Sequence, residues 1–325
     1  MTKAKTFRFA VQSYFAETPD QWRARARRAE ELGFSTFHLA DHFLGPGDAL
    51  SGANHPVQNL AAVPAMVVAA EATSSLRVGC RVFCVDYREP AVLAKEAATL
   101  DFFSGGRLEL GLGAGWLRGE YESAGIEFTA FSKRMERLEE TIALLRGHFS
   151  SGEIDVRGKH VQVGGYEGLP KPVQQPGPPI MIGGGSRRIL SLAGREADIV
   201  SINFNNRSGK LGGEGVSSGS AAETDKKIGW IREAAGDRFD DLELEIGAYF
   251  TVVTEQVTET LAGMASSFQL PEEEIAVNPH ALVGPPQAIV DRLQERRERF
   301  GISYITIPDR AMEDFAPVVK ELAGR

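Results

Sequence analysis

Four places in the sequence carry residue types whose order could do chemistry. Asp41 and His42 are adjacent, and an imidazole titrating near neutrality beside a carboxylate is a common means of giving or taking a proton. The same dipeptide also reads as a helix N-cap followed by a surface histidine. Glycines alternate in Gly111-Leu112-Gly113-Ala114-Gly115-Trp116. Missing side chains there would let a flat ring approach the backbone, or would serve a tight turn with Trp116 as core filler. This is not the dinucleotide fingerprint, because Trp116 stands where its third glycine belongs. Ile182-Gly183-Gly184-Gly185-Ser186-Arg187-Arg188 opens a helical stretch, where free N–H groups, the positive end of the helix dipole and two guanidinium groups suit a phosphate. A simple turn capped by Ser186 is the plainer alternative. Cys80 and Cys84 fall on one face of one strand; without histidine partners they read as structural thiols, and no metal is expected.

Periodicity supplies the elements that must position these residues. Phe7 to Ser13 alternates as a strand, and Thr18-Pro19 starts a helix whose apolar positions Trp22, Ala26, Ala29 and Leu32 run to Gly33. A second strand over 36–40 ends in Asp41-His42, with a helix over 57–72. A third strand covers 77–84 with a helix over 90–103, and a fourth covers 108–111 with a helix through Met135, Leu138, Ile142, Leu145 and Phe149. A hairpin over 154–163 and a Pro-rich connector over 169–179 precede a fifth strand, 179–182, which opens into the triple-glycine turn. The sixth strand is 199–203, the seventh 242–253 and the eighth 303–308, with helices over 225–235 and 286–300 and a last one through Phe315, Val318 and Leu322. Residues 205–222, rich in Gly, Ser and Asn, read as a mobile insertion after the sixth strand.

Eight strand–helix units predict an α/β fold of the (β/α)8 TIM-barrel type, as one domain over 1–325 with loop insertions. A doubly wound sheet would place a Gly-rich fingerprint after the first strand, and Gln12-Ser13-Tyr14 is not one. In such barrels the loops after the strands build the active site, which is where Asp41-His42, Gly113 to Trp116 and Gly183 to Ser186 fall.

The chain has 325 residues, 44 acidic against 36 basic, for a formal charge of −8, with 42% hydrophobic and 25% charged side chains and 35 glycines. That composition excludes disordered and fibrous classes, and the acidic balance argues against nucleic acid as the partner. No apolar run reaches the roughly 18 residues of a membrane span, no signal-peptide core follows the first residues, and two cysteines make no disulfide framework. A cytoplasmic enzyme acting on a small molecule, with no membrane contact, is expected.

The run Arg88-Glu-Pro90, Ala94-Lys-Glu96-Ala97, Thr99-Leu100-Asp101, Ser104-Gly-Gly106-Arg107-Leu108, Gly111-Leu-Gly113-Ala-Gly115-Trp116 and Glu120-Tyr121 resembles the signature segment of the luciferase-like monooxygenase superfamily. So do Asp41-His42, Pro179 to Gly185, and Val283-Gly284 through Leu293. The resemblance implies a bacterial luciferase-like barrel with a flavin-type cofactor across its mouth, and is closest to the branch using coenzyme F420. It implies a non-proline cis peptide at Arg81-Val82, cofactor contacts from Asp41, Arg81, Val82, Cys84, Gly113, Ala114, Gly115, Trp116, Gly183, Gly184, Gly185 and Ser186, and a proton role for His42 with Asp41 near it. Sugar-phosphate and alcohol dehydrogenases of that branch carry a Glu after the Gly-x-Gly turn where this chain has Trp116, which counts against those substrates. A homodimer is implied, through the helices after strands two and three. A reduced-FMN monooxygenase and a non-catalytic flavin-binding protein are the alternatives.

Overall fold

The computed structural model describes residues 5–43, 45–53, 55–209 and 212–325; positions 44 and 54 of the loop after the second strand and 210 and 211 of the insertion lie outside the described residues. Eight strands, Arg8–Ser13, Thr36–Leu39, Arg77–Cys84, Leu108–Gly113, Ile180–Gly184, Ile199–Ile202, Glu243–Gly247 and Ile302–Pro308, follow one another round a closed barrel. Every residue of the second, fourth, sixth and eighth barrel strands is buried. Parallel strands covered on both faces require this, so polar positions such as His38, Glu109, Ser201 and Thr306 are buried along with the apolar ones.

The first helix, Pro19–Glu31, shows how local chemistry sets the boundaries. The Thr18 hydroxyl accepts the N–H of Gln21 at 3.2 Å, the Gln21 side chain accepts the N–H of Glu17 at 2.6 Å, and Pro19 needs no partner at the first helical position. Gly33, at φ 84°, takes the left-handed turn that ends it.

The chain divides into two compact units. One holds Tyr14–Arg27 and His38–Met181. In it the third and fourth barrel strands pair in parallel, with a register shift between Cys80 and Phe83 that brackets a cis peptide at Arg81-Val82. The helix expected over 57–72 begins only at Ala62. Before it, Gln58 turns inward and its amide donates to the carbonyls of Ala40 and Leu60 at 2.7 and 3.0 Å, which holds that stretch extended. The expected hairpin is Glu153–Arg157 against Gln162–Glu167. Its turn is held by Glu140, whose carboxylate accepts the N–H groups of Lys159, His160 and Val161 at 2.7–2.9 Å.

The other unit holds the described part of Met1–Ser13 with Arg28–Phe37 and Ile182–Arg325. Here the seventh strand is shorter than the expected 242–253: Glu243–Gly247 stays in the barrel, while Phe250–Val253 leaves it to pair in parallel with Ala281–Gly284. The insertion carries a one-turn helix, Gly213–Ser217. Lys227 fastens it, its ammonium donating to the carbonyls of Asn203 and Ser218 at 2.7 Å each.

Candidate active site

His42 follows the second barrel strand, and the carboxylate it touches is not its neighbour Asp41. Its Nδ1 lies 2.8 Å from Glu120 Oε2, on the short helix Arg118–Ser123. The side chain of Glu120 is 2% exposed, and besides His42 it binds the Tyr87 hydroxyl at 2.7 Å and the backbone N–H of Phe43. Burial alone would raise the Glu120 pKa, but the hydrogen bonds from His42, Tyr87 and Phe43 outweigh it and hold the carboxyl below its ordinary value. Tyr87 is moved the other way, upward, by burial and by the negative groups around it.

Aromatic rings surround the other side of His42. His55 lies 4.3 Å away between ring centroids and Trp116 lies 6.0 Å away, edge-on; Tyr14 meets His55 at 5.4 Å. Burial first, and then repulsion from His42, push the His55 pKa down to about 3, so at neutral pH that ring is uncharged. Trp116 packs with Leu117, Ala49 and Leu50, which seats the start of the Glu120 helix.

Asp41 has a different task. Its carboxylate, on a side chain 5% exposed, takes both arms of the Arg88 guanidinium, at 2.6 and 2.9 Å, and the N–H of Cys84 at 3.0 Å. It thereby ties the end of the third barrel strand to the end of the second, next to Arg81 and Val82. Cys84 is buried with its thiol 3.0 Å from the Tyr121 hydroxyl, and burial pushes it up to about 12. Cys80 is also buried and its pKa is raised well above the ordinary thiol value by burial. Neither is a reactive thiolate at neutral pH, and among the described residues no cluster of His, Cys, Asp or Glu is arranged to hold a metal.

The glycines expected to admit a ring are partly committed to the protein itself. A Cβ on Gly115, at φ 70°, would stand 1.8 Å from the Tyr121 hydroxyl, and one on Gly111 would meet the Cys80 carbonyl oxygen at 2.0 Å. Gly113 and Ala114 end the fourth strand and are buried; the Gly113 carbonyl accepts from Val85 and that of Ala114 from the buried Arg134. In the other unit, Gly184 and Gly185 likewise give room to Ile189 and to the Phe204 backbone, and Gly183 is buried in the strand. Ser186 stands at the N-cap of the helix Arg187–Glu196 in extended backbone, yet its side chain caps nothing: the hydroxyl is buried and has no partner among the described residues. Arg187, expected to add charge there, is paired with Glu233 at 3.0 Å.

Sequence reasoning thus placed His42, Asp41 and Trp116 at the ends of strands, but did not assign Glu120, Tyr87 or Arg88 to the site. Glu120 and Arg88 stood inside the signature run without a role, because spacing along the chain does not say which buried carboxylate faces which ring.

The closed parallel barrel carries a histidine–carboxylate pair after its second strand, and, in the other unit, an N-cap hydroxyl without a partner among the described residues after its fifth. The chain belongs to the luciferase-like monooxygenase family, whose model matches residues 4–216. It is 33% identical over 174 residues to an F420-dependent glucose-6-phosphate dehydrogenase of Amycolatopsis mediterranei, covering 53% of this chain and 50% of that protein. It is 35% identical over 120 residues to an FMNH2-dependent dimethylsulfone monooxygenase of Pseudomonas putida, covering 37% of this chain and 33% of the relative. The matches thus span about a third to a half of these relatives. A coenzyme F420-dependent tetrahydromethanopterin reductase from Methanopyrus kandleri shares the fold, with a TM-score of 0.75, 17% identity, and coverage of 98% of this chain and 99% of that one.

Proposed function

We propose that this chain is an oxidoreductase that exchanges hydride between coenzyme F420 and a small organic substrate, His42 moving the accompanying proton. The observation that carries this is His42 itself. One nitrogen is tied to Glu120 and the other makes no hydrogen bond among the described residues, in a family whose relatives include F420-dependent and FMNH2-dependent enzymes.

Within each unit, taken separately, residues suit part of a phosphorylated tricyclic cofactor. The buried Ser186 hydroxyl lacks a partner at a helix N-terminus, where the N–H groups of the first turn and the dipole favour a phosphate. Around the ends of the second to fourth strands, Arg81, Val82, Cys84 and the Gly113 to Trp116 segment offer a wall kept in place by the Asp41–Arg88 pair. When bound, the deazaflavin supplies a ring carbon that gives or accepts hydride. His42 takes the proton from a substrate hydroxyl, or returns it to a carbonyl, through its free nitrogen. The rings of His55 and Trp116 shield His42 from water, and His55 stays neutral and does not repel a protonated His42.

Titration of the purified protein with F420 and with FMN, followed by fluorescence, tests the cofactor. Saturable F420 binding, with His42→Ala losing turnover more than binding, is the expected result. Saturation by FMN alone, with substrate oxygenation that needs a flavin reductase and oxygen, would select the monooxygenase instead. Cofactor binding without turnover of any substrate would select a flavin-binding protein.

A further inference from the structure

We infer that Glu120 is the positioning residue that decides which nitrogen of His42 exchanges the proton, and that Tyr87 holds Glu120 in that task. The inference rests on the proposed role of His42. Three donors converge on the two oxygens of one carboxylate: the Phe43 N–H on Oε1, and the Tyr87 hydroxyl and His42 Nδ1 on Oε2. An ionised carboxylate only accepts, so Nδ1 must carry the hydrogen and Nε2 is left with its lone pair. The hydrogen bonds that hold Glu120 ionised are the same ones that orient it. Among the described residues whose contacts with His42 are seen, His55 is neutral and Trp116 presents an edge, while Glu120 brings a charge to the ring. A fixed tautomer and a held ring are what a proton-transfer imidazole needs from its second partner.

Glu120→Gln tests this, because an amide has one accepting oxygen for the same donors. The Phe43 N–H is fixed in the backbone, whereas the Tyr87 hydroxyl rotates. The amide oxygen therefore faces Phe43, and the amide NH2 faces His42 Nδ1. The ring must then hold its hydrogen on Nε2.

Long-range 1H–15N spectra of histidine-labelled, cofactor-free protein read the tautomer directly, with His42→Gln identifying the signal. The wild type is expected in the Nδ1–H form and Glu120→Gln in the Nε2–H form. With cofactor and substrate, Glu120→Gln is expected to lose on the order of 100-fold in kcat with cofactor affinity unchanged. Glu120→Asp, a shorter acceptor, is expected to keep the Nδ1–H form and recover part of that loss.

A wild-type spectrum in the Nε2–H form overturns the inference, as does a Glu120→Gln spectrum still in the Nδ1–H form. Should Glu120→Gln fail to fold, the wild type and Tyr87→Phe decide: a wild type in the Nε2–H form overturns the assignment of Glu120, and Tyr87→Phe, expected to show a broadened Nδ1–H signal, overturns the role of Tyr87 if its signal is as sharp as the wild type's. The tautomer is read without cofactor or substrate. A failure of the proposed activity is seen separately, as His42→Ala protein that turns over normally or as the absence of cofactor binding.

Discussion

Replacing Arg88 with alanine removes the one cation paired with the buried Asp41 carboxylate among the described residues. The pair is closely made: two N–H to oxygen contacts, one to each carboxylate oxygen, at 2.6 and 2.9 Å, with side chains 17% and 5% exposed. Breaking such a pair from one side costs about 3–5 kcal/mol, because the surviving charge stays out of water. The Cys84 N–H still serves one oxygen at 3.0 Å, so a loss of about 3 kcal/mol is expected for Arg88→Ala. Asp41→Ala instead leaves a buried N–H unsatisfied, a cost of about 1–3 kcal/mol, while Arg88 keeps Glu96 at 3.5 Å and the face of Phe83 at 4.8 Å. Urea unfolding of the wild type, both single variants and the double variant measures the coupling. The double variant is expected to be more stable than the sum of the singles by at least about 1.5 kcal/mol. An Arg88→Ala protein within about 1 kcal/mol of wild type, or strict additivity, would refute the account of Asp41 as a structural clasp.

Gly115→Ala places a methyl carbon 1.8 Å from the Tyr121 hydroxyl at φ 70°, so about 2–4 kcal/mol of stability is lost; Tyr121→Phe in the same chain restores part of it by emptying that space. Unfolding midpoints of the single and double variants check this. His55 and His148 both have pKa values lowered by burial, His55 to about 3, so between pH 6.5 and 5 the unfolded chain binds more protons than the folded one. Stability therefore falls as pH drops through that window, and His55→Gln flattens the slope; an equal slope in the variant, measured by urea unfolding at stepped pH, would contradict it. Lys227→Met removes both carbonyl contacts that fasten the insertion, so amide exchange over 204–218 speeds up while exchange in the barrel strands keeps its rate.

Much of the fold was legible because barrel strands, helix starts and helix stops are local chemistry. Thr18-Pro19, Gly33 and the apolar runs of the strands act within a few residues of themselves, and the eight units follow from their order. The seventh strand is shorter than expected because Glu243–Gly247 and Phe250–Val253 read as one strand-like stretch, and only pairing with Ala281–Gly284 separates them. The helix before Ala62 was overextended for a similar reason, since the pull of Gln58 toward Ala40 is a tertiary contact.

By itself the sequence determined the barrel, the family resemblance and the presence of a histidine, an acid and two glycine turns at strand ends. Only the tertiary structure decided which acid serves which base. Asp41 is next to His42 in the chain, yet Asp41 is spent on Arg88 and Cys84 while His42 meets Glu120. Glu120 comes to His42 from 78 residues away, carried there by a short helix after the fourth strand. Likewise the triple-glycine turn was visible as composition, but the unsatisfied Ser186 hydroxyl behind it was not. Whether a buried polar atom finds a partner depends on every element packed round it, and no stretch of sequence contains that sum.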